Sequence, residues 1–124
     1  MKVNELRVGN YFYRHCCNDQ VMEIRGGGVI GLDNLRGIIS LHEMQPISLT
    51  AEFFKKNGFV FYCRVFYFKK IKGMTLKAYE HSMGWDIHMK HEDSINKVSK
   101  EMKYVHEFQN AYYVSTGEEL EVKL

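Results

Sequence analysis

Between residues 59 and 91, apolar and polar side chains alternate with a period of two, which is typical of half-buried β-strands. The segments MTLKAYE (74–80) and GWDIHMK (84–90) each predict one such strand. The preceding run, FVFYCRVFYFK (59–69), is apolar on both faces and predicts a central strand that is covered on both sides. The three strands are expected to form an antiparallel sheet.

A second period, of three and four residues, follows toward the C-terminus and predicts a helix that covers this sheet. Its apolar stripe comprises Ile95, Val98, Met102, Val105, Phe108 and Tyr112. Gly117 stands where a C-cap is expected, and the start of the helix is left open between Ser94 and Ser99. The last residues, EELEVKL (118–124), predict a short edge strand.

Polar residues flank the stripe of the C-terminal helix, and they admit two interpretations. The favoured interpretation is solvated surface at the margin of the stripe, where some of these residues could bond to the N-terminal module, and the alternative is a functional site. The residues are His106, Glu107, Gln109 and Asn110.

The first half of the chain predicts short strands followed by one short helix. The strands are predicted at 10–14, 20–24, 29–32 and 37–41, with glycine-rich turns between them, as in a small β-barrel or meander. After Pro46, Thr50 is the predicted N-cap of a helix that ends at Gly58. Leu49 and Phe54 have the spacing of a hydrophobic staple.

The predicted loops set the register of the three strands. If the loops are 70–73 and 81–84, one outward row is Arg64, Tyr79 and Asp86, and the next is Phe66, Lys77 and His88. The inward rows are then Val65, Ala78 and Ile87, and Tyr67, Leu76 and Met89.

These elements predict an α+β fold: an N-terminal small β-barrel or meander, a short helix, and a three-stranded antiparallel sheet covered by a C-terminal helix. The 124 residues, 45% of them hydrophobic, are enough for a single domain with a packed core. We expect two sub-modules, a β-rich one over 1–48 and a second one over 49–124.

The charge of the chain is small overall but uneven along it. A formal net charge of +2 does not by itself indicate a nucleic-acid partner. No acidic residue lies between Glu52 and Glu80, whereas the C-terminus is acidic. The basic residues of that interval are Lys55, Lys56, Arg64, Lys69, Lys70, Lys72 and Lys77.

Two features favour a cytoplasmic protein that is not inserted in a membrane. Three cysteines cannot all pair within one chain, and the adjacent Cys16 and Cys17 have unsuitable geometry for a disulfide. The N-terminus carries charged residues where a signal peptide requires an apolar region, and the densest apolar run is interrupted by Arg64.

No segment predicts catalysis, a cofactor or a bound metal. GGGVIG (26–31) has the glycine spacing of a dinucleotide-binding loop, but β-rich sequence follows it where that loop requires a helix. The histidines and cysteines lack the spacing of a structural zinc site. Cys63 is expected inside the sheet, and Glu118 and Glu119 are adjacent rather than facing. We therefore expect a protein that is not an enzyme, with no small-molecule substrate.

The outward face of the predicted sheet is the candidate interaction surface, because it mixes aromatic and basic residues. The candidate residues are Tyr62, Arg64, Phe66, Lys77, Tyr79, His88 and Lys90. The first hypothesis is a non-enzymatic accessory module that binds a protein partner or a second copy of itself through this apolar surface. The alternative is a nucleic-acid-binding protein that stacks bases on the aromatic rings and neutralises phosphates with the cations.

Three segments carry a resemblance to known proteins. NELRVGNYFY (4–13), PISLTAEFFKKNGF (46–59) and YVHEFQNAYYVSTGEEL (104–120), in this order, resemble an uncharacterised family of small proteins from Bacteroides-group gut bacteria and their prophages. The resemblance covers both ends and the central helix, but not 15–40 or 60–98. It implies a cytoplasmic, mobile-element setting and supplies no activity, ligand or catalytic residue.

Overall fold

The computed structural model of the protein describes residues 6–14, 17–25, 28–31, 39–40, 43–93, 95 and 97–124. The elements in chain order are β1 (Tyr11–Arg14), β2 (Cys17–Arg25), β3 (Gly28–Gly31), β4 (Ile39–Ser40), α1 (Ala51–Lys56), β5 (Val60–Tyr62), β6 (Phe66–Ile71), β7 (Met74–His81), β8 (Gly84–His91), β9 (Lys97–Met102) and α2 (Val105–Thr116). This content confirms the α+β class.

The chain divides into two compact units. The first contains Met1–Ser48 and Tyr104–Glu121, and the second contains Leu49–Lys103 and Val122–Leu124. Helix α2 therefore belongs to the unit of the N-terminal strands. The prediction that this helix belongs with the strands of residues 59–91 and covers them is therefore wrong.

In the first unit, β1 to β4 pair in chain order as an antiparallel meander. A β-bulge between Val21 and Glu23 shifts the β2–β3 register. Among the described residues, no pairing of β4 with β1 closes the sheet, so the structure supports the meander and not the barrel. The apolar core of this sheet consists of Leu6, Phe12, Val21, Ile39 and Met44.

Helix α2 begins at Val105, six to eleven residues later than the predicted start at Ser99 or Ser94. Glu107 Oε1 accepts a hydrogen bond from the N–H of Tyr104 at 3.0 Å, which is half of a capping box, and Gly117 ends the helix with φ +74° as predicted. Residues 97–102 form β9 instead. Val98 and Met102 are four residues apart, and because four is even, they share a face in a strand as well as in a helix.

Two of the four polar residues of α2 are buried and the other two are half-buried, so their interpretation as solvated surface is wrong. His106 and Gln109 are almost fully buried. Gln109 Oε1 accepts a hydrogen bond from the N–H of Tyr11 at 2.9 Å, and its Nε2 donates to Gly9 O at 2.9 Å. Asn110 Oδ1 accepts from Asn10 Nδ2 at 2.7 Å. Hydrogen bonding of Gln109 and Asn110 to the N-terminal module is confirmed.

An arginine reinforces the same polar network of the first unit. The guanidinium of Arg7 lies 4.2 Å from the ring centroid of Tyr113 and forms a salt bridge with Glu119, in which Nη2 donates to Oε2 at 3.1 Å. Its Nε donates to Asn110 Oδ1 at 3.2 Å. These contacts have a structural function, since they connect the two chain segments of the first unit, Met1–Ser48 and Tyr104–Glu121.

In the second unit, helix α1 forms as predicted. Thr50 Oγ1 accepts the N–H of Phe53 at 3.1 Å, and Gly58 follows the helix with φ +82°. Lys69 Nζ donates to Asn57 O at 2.6 Å and so neutralises the negative end of this helix. The ring of Phe54 lies 4.6 Å from that of Trp85, and Trp85 Nε1 donates to Leu49 O at 3.0 Å.

The second unit contains an antiparallel sheet of five strands, where three were predicted. Their order is β5-β6-β7-β8-β9. Strands β7 and β8 and their register are as predicted, with Tyr79 opposite Asp86 and Lys77 opposite His88. The interval 59–69, predicted as one central strand, is a hairpin of β5 and β6 with a turn at residues 63–65. The prediction of a doubly covered strand there is wrong.

The β6–β7 register differs from the prediction by two residues. The loop consists of only Lys72 and Gly73, both with positive φ, rather than of residues 70–73. Tyr67 therefore pairs with Ala78 in place of Val65, and Phe66 rather than Arg64 is the next residue toward Tyr79. A shift of two preserves the face of every β6 side chain, so the inward and outward assignments of β6 remain correct.

Most inward side chains of the central strands are buried, as the alternating pattern predicts, whereas the inward Phe61 on β5 and Val98 and Lys100 on β9 are exposed. The buried ones are Tyr67, Met74, Leu76, Ala78, Trp85, Ile87, Met89 and Met102. The predicted edge strand over EELEVKL is not formed. Asn57 instead holds the C-terminus with two hydrogen bonds, because its Oδ1 accepts Lys123 N–H at 2.7 Å and its Nδ2 donates to Lys123 O at 2.8 Å.

Candidate functional site: the outer face of the five-stranded sheet

The outward side chains of the five strands form three rows, which together are called the outer face. The first row is Tyr62, Phe66, Tyr79, Asp86 and Glu101. The second row is Val60, Phe68, Lys77, His88 and Ser99. The third row is Lys70, Thr75, Lys90 and Lys97. Six of the seven predicted candidate residues lie on this face, and Arg64 lies in the β5–β6 turn.

Four rings of the outer face contact one another in sequence across β5, β6, β7 and β8. The centroid distances are 5.6 Å for Tyr62–Phe66, 5.0 Å for Phe66–Tyr79 and 4.8 Å for Tyr79–His88. All three pairs are tilted by about 40°, within the range that aromatic pairs prefer. The rings therefore form one continuous aromatic strip on the face where the sequence predicted these residues to lie.

The cations of the outer face are partly engaged within the sheet. Lys77 Nζ lies 5.2 Å from the ring centroid of Phe66, within the range of a cation–π contact. Lys70 Nζ is 3.8 Å from Glu92. Lys90 and Lys97 are opposite each other on β8 and β9, so the basic character of the face is concentrated in its third row.

The aromatic strip ends at a carboxylate with two polar neighbours. His88 Nε2 lies 3.0 Å from Asp86 Oδ2, and Ser99 Oγ donates to Asp86 Oδ1 at 3.1 Å. The hydrogen bond from His88, and to a smaller extent that from Ser99, holds the pKa of Asp86 below its ordinary value of 3.8. Asp86 is therefore ionised at neutral pH and places a negative charge beside the aromatic strip.

The turn between β5 and β6 is strained. Cys63 and Arg64 both have positive φ, of 52° and 58°, and Val65 N–H donates to Tyr62 O at 3.0 Å. This is the pattern of a type I′ turn, which usually contains Asn or Gly at these positions. Cys63 is exposed, contrary to the prediction that it lies inside the sheet.

Strand β5 and its turn expose four large apolar side chains, which are called the apolar edge. Their exposed fractions are 64% for Val60, 50% for Phe61, 57% for Tyr62 and 58% for Val65. Phe61 and Val65 are not among the predicted surface residues, because the sequence pattern predicts both inside a covered strand. The signal that could have revealed them is a turn at Cys63 and Arg64, which neither residue type indicates.

The remaining candidate chemistry gains no support as a site. His15, Cys16 and Gly26 are outside the described residues, and Gly28–Gly31 is a strand, as the argument against a dinucleotide loop expects. Within the described part of the chain, no three His, Cys, Asp or Glu side chains converge as metal ligands. None of the described helices has the length and apolar character needed to cross a bilayer.

No protein-family model matches the chain, and neither a curated protein nor a solved structure has significant similarity to it. The resemblance of its three segments to a Bacteroides-group and prophage family stays a prediction.

Proposed function

We propose that this protein is a non-enzymatic accessory module that binds a protein partner through the apolar edge and the adjoining aromatic strip. A cytoplasmic setting and a phage or mobile-element origin belong to the same proposal. The observation that carries it is the exposure of Val60, Phe61 and Tyr62, three consecutive residues of which each is at least half exposed.

The continuity of these apolar groups supports a protein partner. Single exposed apolar residues are common on folded proteins, whereas contiguous ones mark interaction surfaces. The apolar edge adjoins Phe66 through its ring contact with Tyr62, so the apolar area extends from the edge onto the outer face. Tyrosine and phenylalanine are also enriched in the cores of protein interfaces.

The experiment is site-specific photo-crosslinking in the native host cells. Benzoylphenylalanine placed at position 61 is expected to give a discrete adduct with a protein. The matched control is the same residue at position 98, because Val98 is also about half exposed and lies on the opposite edge strand, β9. Equal adducts at both positions, or none at position 61, would contradict the proposal.

A second candidate function, binding of single-stranded nucleic acid, is favoured by one observation. The aromatic strip lies beside Lys77 and the basic third row, an arrangement suited to base stacking with phosphate neutralisation. Asp86 and Glu101 oppose it, because both carboxylates lie in the same row as the strip. The protein partner is therefore the better-supported candidate.

Fluorescence anisotropy with labelled single-stranded DNA and RNA distinguishes the two functions. A nucleic-acid binder would show affinity that falls steeply with salt and weakens in Arg64→Ala and Lys77→Ala. We expect no binding at low salt, and salt-sensitive binding that depends on these two residues would replace the protein-binding proposal.

A further inference from the structure

We propose that the occupant of the apolar edge is an extended, acidic peptide segment of the partner, which pairs with β5 as a sixth strand of the sheet. This inference rests on the proposed function and specifies the partner's chemistry. The supporting observations are the two edges of the sheet, the direction of the backbone groups of β5 and the distribution of charge around it.

The two edges of the sheet differ in how they oppose strand addition. Charged side chains on an edge strand, lysine above all, discourage pairing with another chain. The β9 edge carries Lys97, Lys100 and Glu101, whereas β5 is Val-Phe-Tyr and carries no charge. The unprotected edge is therefore β5.

The backbone of β5 presents hydrogen-bonding groups to its open side. Tyr62 O accepts Val65 N–H within the turn, so the polar backbone groups of Tyr62 are directed toward β6. Consecutive residues of an antiparallel strand direct these groups alternately to the two sides, so Phe61 N–H and C=O are directed away from β6. An added strand would form two hydrogen bonds with Phe61 and pack its side chains against the exposed ones of β5.

The surroundings of this edge are basic, which determines the charge of the added strand. No acidic residue lies between Glu52 and Glu80, an interval that includes β5, its turn and β6. Glu80 on β7 and Asp86 on β8 are two and three strands away from β5, about 10 Å and about 14 Å at a spacing of about 4.8 Å. Both separations exceed a Debye length of about 8 Å at physiological salt. A strand with alternating apolar and acidic residues is complementary to this environment.

A second copy of the chain is a poorer occupant of the same edge. Antiparallel self-pairing of β5 about a two-fold axis would join only three residues from each copy. Each copy would offer the other the same basic interval 53–79, which has no acidic residue to complement it.

The test uses four fluorescein-labelled synthetic peptides with apolar residues at alternate positions, measured by anisotropy against the full chain. The first peptide has Asp and Glu between the apolar residues, and the second has Lys there. The third and the fourth are forms of the acidic peptide with N-methyl groups on one or the other set of alternate amides. Phe61→Ala is the test variant, and Val98→Ala is its matched control.

The acidic peptide is expected to bind at least about tenfold more tightly than the basic one, with a difference that shrinks as salt is added. N-methylation is expected to abolish binding for one set of amides and to leave it intact for the other, since only one set faces β5. Phe61→Ala should weaken binding about tenfold or more, and Val98→Ala should leave it unchanged.

Several outcomes overturn the inference. The first three are equal affinity for acidic and basic peptides, no binding of the acidic peptide, and binding that neither N-methylation pattern weakens. The other two are displacement of the peptide by a single-stranded oligonucleotide, and concentration-dependent dimerisation that Phe61→Ala removes. If position 61 crosslinks to a protein while the acidic peptide does not bind, the peptide inference fails and the proposed function stands. If neither is observed, both fail.

Discussion

The rings of Tyr79 and His88 lie 4.8 Å apart on adjacent strands. His88 also contacts Asp86, so the aromatic strip is anchored at its β8 end by an ionised carboxylate. The opposite end, at Tyr62, has no such anchor among its described contacts and is the more exposed end. The outer face is thus polar and internally bonded toward β9, and apolar toward β5.

The hydrogen bonds to Asp86 predict a pH dependence of stability. Because the pKa of Asp86 is lowered in the folded state, its contribution is present above its ordinary pKa of 3.8 and is lost as the pH falls through the folded value. Since the side chain of Asp86 is 40% exposed, we expect it to contribute only about 0.5 kcal/mol to the free energy of unfolding. Urea unfolding from pH 6 to pH 2.5 should show this acid-dependent loss in the wild type and not in Asp86→Asn.

The control for that measurement is Glu101→Gln, a neighbouring outer-face carboxylate opposite Asp86. Its removal should leave the acid-dependent loss in place. A loss of equal size in Asp86→Asn and in the wild type would contradict the assignment to Asp86.

The turn at Cys63 and Arg64 predicts a stabilising substitution. Both residues adopt positive φ, which disfavours side chains with a Cβ, and an Asn-Gly pair is suited to a type I′ turn. The double variant Cys63→Asn, Arg64→Gly should raise the free energy of unfolding by about 1 kcal/mol. Chemical denaturation followed through the single tryptophan, Trp85, provides the readout. Unchanged or reduced stability would mean that the turn is not strained in this way.

The amide of Gln109 predicts a destabilising substitution in the first unit. Gln109→Met keeps the shape of the side chain but removes the acceptor for Tyr11 N–H. Leaving a backbone donor without its partner in a buried position should cost about 2 kcal/mol. Thermal unfolding by circular dichroism measures the change. Val114→Met, at an exposed position of the same helix, is the control and should have almost no effect.

The close approach of Gly31 to Asp19 predicts intolerance of any side chain at position 31. A Cβ there would lie 2.2 Å from Asp19 Oδ2, and the carboxylate is held by the N–H of Gln20, which Oδ1 accepts at 2.7 Å. Gly31→Ala should cost about 2 kcal/mol. In a double-mutant cycle, Gly31→Ala should cost less stability when Asp19→Ala is already present. Strictly additive effects would show that the two positions do not interact.

Much of the fold was predictable where one physical signal acted alone. Thr50 and Gly58 delimit α1 because capping chemistry is local, and β7 and β8 follow from strict alternation with a buried Trp85 and Met89. Gly117 marked the end of α2 for the same reason. The composition of the outer face was predictable from β7 and β8, since alternation alone determines which side chains point outward.

The errors arose where the sequence carries an ambiguous signal or none. Val98 and Met102 fit both a helix and a strand, so β9 was assigned to the helix. Cys63 and Arg64 carry none of the usual turn chemistry, so the β5–β6 hairpin and its exposed Phe61 were missed. Gln109 was predicted at the surface because its hydrogen-bond partners, which include Tyr11, are distant in sequence.

Hydrogen exchange of the Phe61 amide tests the central claim, that β5 is a binding edge, most directly. The chain is compared alone and with saturating acidic peptide. We expect the bound peptide to slow exchange of the Phe61 N–H and to leave exchange across β9, Lys97–Met102, unchanged. Protection of β9, or an unchanged rate at Phe61 with the peptide bound, would contradict it.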